Sequence, residues 1–305
     1  MNTQLKRIVI AGGSGFLGQH LKSHLEASGH EVFVLTRNPK SESDVKWDGK
    51  SLGSWQKTVD GSLALINMAG RTVDCRYNAK NRAAILNSRL DSTRVLHEAV
   101  SACKNPPKVW LNSSTSTIYN DTRDEAPANT EAGNNIGDDF SMSVAKAWED
   151  EFFRVQLATT TQTALRIAIV LGNDGGAFPI MSKIAKFGLC SPQGKGDQWI
   201  SWIHVTDFSR AVQFLIENPA GGSINLCSPN PIQNRDFNRC LKEEIKPWLT
   251  LPQPVWLLKL GAIAMQTQTE LILKSRKVYP ARLLEKGFEF QHQIAKDAII
   301  DLLNG

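Results

Sequence analysis

The chain has 305 residues, 41% of them hydrophobic and 21% charged, with a net charge of +5. That length allows one large domain or two of ordinary size around a substantial buried core. The two charge signs are mixed, and no Lys/Arg run is interleaved with aromatic residues, which argues against nucleic acid as a partner.

The five cysteines, Cys75, Cys103, Cys190, Cys227 and Cys240, are odd in number and widely spaced. Without a CxxC pair, neither a disulfide framework nor a metal site is expected. The first apolar run, Ile8–Ala11, is too short for a leader. The stretch Val255–Met265 is interrupted by Lys259 and falls short of the roughly 20 residues that span a bilayer. The expectation is a cytoplasmic protein with no membrane partner.

Taken along the chain, short β-branched runs alternate with helical patterns, as in a parallel sheet covered by helices. Ile8–Ala11 reads as a buried strand entering a glycine loop. Phe16, Leu17, Leu21 and Leu25 then recur at helical spacing, and Gly29 closes that helix. Glu31–Arg37 is the second strand and Leu63–Met68 a third. A long helix carrying Leu86, Leu90, Val95, Leu96 and Val100 follows and ends before Pro106-Pro107. Lys108–Ser113 and Thr163–Leu171 read as further strands. After about residue 172 the pattern loosens through Gly188–Trp202 and Pro229–Pro254, and a helix near Ile294–Leu303 ends the chain. No internal repeat or low-complexity segment is present. The reading is an α/β protein. Residues 1–171 form a doubly wound Rossmann domain, completed by about 204–228. Residues 172–203 and 229–305 form a smaller α/β substrate cap over the strands' C-terminal ends, where ligands of open sheets bind.

Gly12-Gly13-Ser14-Gly15-Phe16-Leu17-Gly18 satisfies G-x-x-G-x-x-G and, from Gly13, G-x-G-x-x-G. Gly12 serves the tight turn off the strand, and Gly15 lets the backbone approach a pyrophosphate. Gly18 lets the helix pack close to the strand. The helix N-terminus offers free N–H groups to the phosphates. The loop residues expected at the cofactor are therefore Gly12, Ser14, Gly15, Phe16, Leu17 and Gly18. After strand two the chain reads Leu35-Thr36-Arg37-Asn38, with no carboxylate until Glu42. An acidic residue there would bind a ribose 2′-hydroxyl and repel a 2′-phosphate, whereas Arg37 can pair with the phosphate. NADP(H) is favoured over NAD(H), with Arg37 and Asn38 at the adenosine end. The alternative is that Arg37 is a surface loop residue.

The segments GGSGFLG at 12–18, INMAG at 66–70, SSTSTIYND at 113–121 and WED at 148–150 carry a resemblance. So do LRIAIVLGNDGG at 165–176, QWISWIHVTD at 198–207 and VYPARLLEKGFEF at 278–290. The chain resembles the extended short-chain dehydrogenase/reductase family, which includes sugar-nucleotide epimerases and dehydratases. More closely it is similar to an atypical epimerase-family branch. The resemblance implies that Asn67, Met68, Ala69 and Gly70 line the adenosine–ribose side of the cofactor, with Ser113 nearby. It places Thr115, four residues before Tyr119, where the family's catalytic Ser or Thr stands. The plain alternative is a Ser/Thr-rich strand end satisfying backbone groups.

The family's chemistry also needs a Tyr followed four residues later by a Lys, which lowers the phenol's pKa. That Tyr belongs near Phe140–Ser141, and none is present. Lys146 is one residue out of register with Ser141, and is either an unusual acid or base or a solvent-facing lysine. Tyr at Ser141 with Lys at Ala145 would restore the pair. Tyr119 is expected to pack its loop. His204 and Asp207 suggest a triad, but no G-x-S-x-G elbow supplies a nucleophile. Gln198, Trp202 and His204 are expected at the substrate, with Trp199 and Trp202 either a cleft wall or core. His20 and His24 read as surface residues. Two functions stand: an NADP(H)-dependent oxidoreductase or epimerase acting on a small polar metabolite such as a nucleotide-linked sugar, or an NADP(H)-binding sensor that has lost its chemistry.

Overall fold

The structure is a computed structural model that describes residues 6–251 and 274–305. The expected apolar stretch Val255–Met265 lies outside the described residues. Seven parallel strands form the main sheet: β1 Arg7–Ala11, β2 Glu31–Thr36, β3 Asp44–Lys46, β4 Ala64–Asn67, β5 Val109–Thr115, β6 Thr161–Ile167 and β10 Gly222–Leu226. Their order is β3-β2-β1-β4-β5-β6-β10, a doubly wound Rossmann sheet whose winding reverses between β1 and β4. A crevice opens at that reversal, beyond the strands' C-terminal ends.

Both faces of the sheet are covered, so its strands read as continuous apolar runs. Ile8 and Ile10 point to one face with Ile66, Leu111 and Leu165, under the helices α1 Phe16–Ala27 and α6 Val205–Glu217. Val9 and Ala11 point to the other with Leu65 and Trp110. That face is covered by α2 Gln56–Val59, α3 Ala79–Ser101 and α4 Phe140–Phe153. The Asn78 side chain accepts from Asn81 N–H to start α3, and Asp139 accepts from Met142 N–H to start α4.

Two expectations need correction. Thr163–Leu171 is not one strand: β6 ends at Ile167, and Ile169–Leu171 (β7) pairs instead with β9 Trp202–His204. Ala168 N–H still donates to Leu226 O at 3.0 Å, while Ile169 N–H donates to Ser201 O at 3.2 Å. The chain changes partner across one residue, and because apolar residues continue through Ile169, Val170 and Leu171 the run shows no break. Nor does the region from 229 onward form one separate layer. The short helix α8 Ala281–Glu285 carries Leu283 into the main core, where it and Phe288 and Phe290 pack with Ile8 and Phe208.

A second core joins Leu171, Trp202, Phe178 of α5 (Phe178–Lys186), Phe237 of α7 (Asn234–Ile245) and Ile299 of α9 (Ala295–Asn304). A small antiparallel pair, β8 Trp199–Ile200 with β11 Ile232–Gln233, borders it. No helix among the described residues is long and apolar enough to cross a membrane.

Candidate functional site

The glycine loop is tied down on three sides. Gly12 N–H donates to Leu35 O at 2.9 Å, and Met68 N–H donates to Ala11 O at 2.8 Å, so the ends of β1, β2 and β4 are joined. Gly12 has φ +74°, and a Cβ there would stand 2.7 Å from Ala69 Cα. A Cβ on Gly18 would stand 2.4 Å from Gly13 Cα, so only glycine lets α1 sit this close to its loop. Gly15 is the opposite case. It caps α1 without a side-chain partner, and a Cβ there would meet no protein atom within 4 Å. Open space at a helix N-terminus is what a dinucleotide's pyrophosphate requires, and Ser14 is exposed beside it. Gln19 steadies the turn, its Nε2 donating to Gly13 O at 3.0 Å.

Phe16 contributes differently from the expectation. Its ring fills the space above a second glycine loop: Cβ atoms on Gly172 and Gly175 would stand 2.5 and 2.4 Å from it. Its backbone, with that of half-buried Leu17, is what remains available to a ligand. His20, one turn on, lies 2.8 Å from Asp174 of the same second loop.

Arg37 is exposed at the end of β2, and Lys46 Nζ donates to its carbonyl. Asp44, the nearest carboxylate on β3, already accepts from the N–H groups of Lys40 and Ser41 at 2.7 and 3.1 Å. Neighbouring Asn38 is exposed, its N–H donating to Thr36 Oγ1 at 3.3 Å.

Asn67 does not present its side chain to a ligand. It is fully buried, donates to Asn112 Oδ1 at 2.7 Å and accepts from Ala69 N–H at 3.0 Å, so it shapes the loop from within. Met68 Sδ accepts from Ser113 Oγ at 3.1 Å. Gly70 is exposed, and a Cβ on it would stand 3.3 Å from Arg89 Cζ. Half-buried Thr115 accepts from Thr117 N–H at 3.1 Å and lies 3.1 Å from its hydroxyl, capping the 3₁₀ turn Ser116–Ile118.

Behind this edge lies a polar network that residue spacing did not reveal. Arg166 of β6 donates Nε and Nη2 to the Glu149 carboxylate of α4 at 2.9 and 2.8 Å. Ser114 adds a hydroxyl at 2.6 Å, and Arg166 Nη1 donates to Tyr119 Oη at 2.9 Å. Burial alone would lower the pKa of Arg166, but Glu149's hydrogen bonds and charge reverse this and hold it above its ordinary value. Burial raises the Tyr119 phenol, whose hydroxyl donates to Asn225 Oδ1 at 2.9 Å. Tyr119 is a core post, as its loop position suggested.

On α4, Phe140 occupies the first turn, its ring 4.9 Å from Tyr77 and 4.5 Å from the Arg82 guanidinium carbon. Lys146 is exposed with Ser143 and Asp150 on the helix's outer side. Ala145 is 1% exposed in a cluster with Tyr119 and Val278, so a lysine there would enter the core rather than restore a Tyr–Lys pair.

The three expected substrate residues, Gln198, Trp202 and His204, are all buried. Trp202 is fully buried in the second core, its indole N–H donating to Asn230 O at 3.0 Å. Gln198 donates to Gln193 O at 3.2 Å, and its own carbonyl accepts from Asn234 N–H at 2.9 Å. His204 caps α6, its Nδ1 accepting from Thr206 N–H at 3.1 Å. Its Nε2 lies 3.2 Å from Asp301, and its ring stacks on His292 at 3.8 Å. Because Nδ1 is an acceptor, the neutral ring carries its proton on Nε2. The His204–His292–Asp301 group therefore does not fit a metal ion, which would need that lone pair. Burial, then His292, lowers His204 to about 4. Asp207 is fully buried and accepts from Arg210 and from the N–H groups of Gln291 and His292, which completes a structural knot rather than a triad.

A cluster of charged residues is drawn together from distant segments. Arg123 lies 3.0 Å from Asp197, and Asp121 accepts from Ser275 N–H at 2.9 Å. Lys277 Nζ sits 4.4 Å above the half-buried Trp199 ring. Lys274 donates to Asp139; burial, with Arg276 beside it, brings it down to about 8. Only the fold assembles these groups, since 121–123, 197–199 and 274–277 are far apart in sequence.

A doubly wound sheet with a ligand-ready glycine loop at its point of reversal defines a dinucleotide-binding protein of the Rossmann type. The chain belongs to the NAD dependent epimerase/dehydratase family, whose model matches residues 8–227, and residues 253–302 match a domain of unknown function, DUF1731. It is similar to "Epimerase family protein YfhF" of Bacillus subtilis, 29% identical over 304 residues, covering 97% of each chain. Among solved structures it is similar to the human epimerase family protein SDR39U1 (isoform 2) with NADPH, at TM-score 0.87 and 26% identity. That match covers 98% of this chain and 99% of the other. It is also similar to the nucleoside-diphosphate sugar epimerase of Corynebacterium glutamicum, at TM-score 0.80 and 26% identity, covering 98% of this chain and 58% of that one. These relatives agree with the atypical extended short-chain dehydrogenase/reductase resemblance.

Proposed function

We propose that this chain binds NADP(H) along the glycine loop and uses it in an oxidoreductase or epimerase reaction on a small polar metabolite of the nucleotide-sugar class. The observation that carries the reading is the open approach to Gly15 at the N-terminus of α1, with exposed Arg37 at the neighbouring strand end. The Gly15–Leu17 backbone would hold the pyrophosphate, and Arg37, with Lys46 beside it, the 2′-phosphate. Met68–Gly70 would line the adenosine ribose, and Ser113 and Thr115 the nicotinamide end. The similar human protein is described with NADPH, and the similar bacterial one as acting on nucleoside-diphosphate sugars, which agrees with this division. When bound, the cofactor supplies hydride transfer; the chain supplies orientation and a dry, charged cleft.

The absence of a tyrosine at Phe140–Ser141 on the head of α4, near where the resemblance places a phenol, favours a second reading, cofactor binding without turnover. Calorimetry with NADPH and NADH tests the cofactor assignment, and equal affinities would overturn it. A screen of nucleotide-linked sugars for decay of NADPH fluorescence separates the two readings.

A further inference from the structure

The segment that leaves the C-terminal end of β4 carries an unbalanced charge. Residues 70–90 hold five cations, Arg71, Arg76, Lys80, Arg82 and Arg89, against one carboxylate, Asp74, and so supply +4 of the chain's net +5. Three of these guanidiniums are held by neutral groups. Arg71 Nη2 donates to Asn81 Oδ1 at 3.1 Å, and the Arg71 backbone N–H donates to Ser88 Oγ at 2.9 Å. Arg82 Nε donates to Tyr77 O at 2.9 Å, and its guanidinium carbon stands 4.5 Å from the centre of the Phe140 ring. Arg89 Nη1 donates to Arg71 O at 3.2 Å and Ile85 O at 2.9 Å, over the Trp148 ring at 5.0 Å. Among the described residues, Arg71, Arg82 and Arg89 form no ion pair with a carboxylate.

Two landmarks place these groups. Gly70 is the exposed end of the loop Met68–Gly70 assigned above to the cofactor, and a Cβ on it would stand 3.3 Å from Arg89 Cζ. Phe140 heads α4, near where the resemblance places the phenol that handles the substrate's proton. A line of contacts runs between the two, from Gly70 through Arg89 and Arg71 to Asn81 and, at the next residue, Arg82 on Phe140. Arg71 and Arg82 are both exposed, and each spends one of its five N–H donors on the protein. An arginine fixed by a carbonyl, an amide or an aromatic face keeps its whole charge and most of its fork for an anion from outside.

We propose that Arg71 and Arg82 form an anion-binding subsite that takes the diphosphate of a nucleotide-linked substrate, with Arg89 holding the Arg71 backbone in place. The proposal deepens the nucleotide-sugar reading above and rests on it. A diphosphate offers planar forks the paired oxygens that they bind two at a time. A sugar without phosphate leaves both forks empty, so the same two residues that hold a nucleotide-linked substrate discriminate against a free sugar.

The test is calorimetry on protein saturated with NADP+, which fills the pyrophosphate site on the glycine loop, with the diphosphates of uridine, guanosine and thymidine as probes. At least one should bind, and its nucleoside alone should not. Arg71→Gln and Arg82→Gln should each weaken that binding about ten- to hundredfold, the loss of a charge-assisted contact, and leave NADP+ affinity unchanged. Arg71→Lys keeps the charge without the fork and should recover only part of the loss. Lys108→Gln, at the opposite end of β5, removes the same charge and should change nothing. Full probe affinity in folded Arg71→Gln and Arg82→Gln proteins overturns the proposal, as does an equal loss in Lys108→Gln. So does a protein that holds NADP+ but none of the probes. Lower NADP+ affinity with probe binding intact would give the two arginines to the cofactor and overturn it as well. If NADP+ itself does not bind, the cofactor reading is what fails, and the same titrations without it still decide the diphosphate subsite.

Discussion

The Glu149 carboxylate and the Arg166 guanidinium meet as a buried bidentate pair that fastens α4 to β6, one strand in from the edge of the sheet, with contacts of 2.8 and 2.9 Å. Each side chain is about nine-tenths buried. Breaking such a pair from one side strands a charge, at a cost of about 3–5 kcal/mol. Glu149→Gln or Arg166→Met alone should therefore lower the unfolding free energy by about that much in urea titrations. The double variant should recover part of the loss. Full additivity would show that the two groups do not act as a pair.

Arg37→Asp should weaken NADPH binding by about 1.5–3 kcal/mol, the range of a charge-assisted contact, and leave NADH affinity equal or improved. Because Arg37 is exposed, the melting temperature without cofactor should not move. Calorimetric dissociation constants for the two cofactors in both proteins check this. Unchanged discrimination would remove Arg37 from the 2′-phosphate.

Two glycines of one loop should respond in opposite ways. Gly15→Val adds atoms only to open space, so the protein should fold and lose cofactor affinity. Gly18→Val forces α1 away from Gly13, where a Cβ already stands at 2.4 Å, and should lower thermal stability before any question of binding arises. Thermal melts and calorimetry, read together, distinguish the two. A Gly15→Val protein with full affinity would displace the pyrophosphate from this loop.

His204 sets a pH dependence. Its folded pKa of about 4 lies below the unfolded value of 6.5, so between these values the unfolded chain binds more protons. Stability is full above about pH 6.5 and falls as pH drops toward 4, with a limit of about 3 kcal/mol from this ring. His204→Asn keeps an acceptor for Thr206 N–H and removes the titration. The difference in stability between the two proteins should shrink on acidification. A constant gap from pH 7.5 to about 4.5 would rule the contribution out.

The main sheet was legible in the sequence because two-sided burial writes its strands as apolar runs, and a glycine loop between a strand and a helix has few other meanings. What escaped depended on partners distant in the chain. Nothing local marks Ala168 as the residue where a strand changes sheets. Glu149 and Arg166 declare themselves only once α4 is laid on β6. Gln198, Trp202 and His204 read as ligand contacts because cores and clefts use the same residue types, and in the structure all three are buried.

The ring of Phe16 is wedged between the turn that would seat the pyrophosphate and the glycines at 172–176, which lead into the second core. One side chain thus belongs to both halves of the molecule, and neither loop can shift without the other feeling it. A ligand that stiffens the turn at Gly15 stiffens residues 172–176 as well. By thermodynamic reciprocity, a second ligand whose binding is strengthened by that stiffening strengthens the first to the same degree.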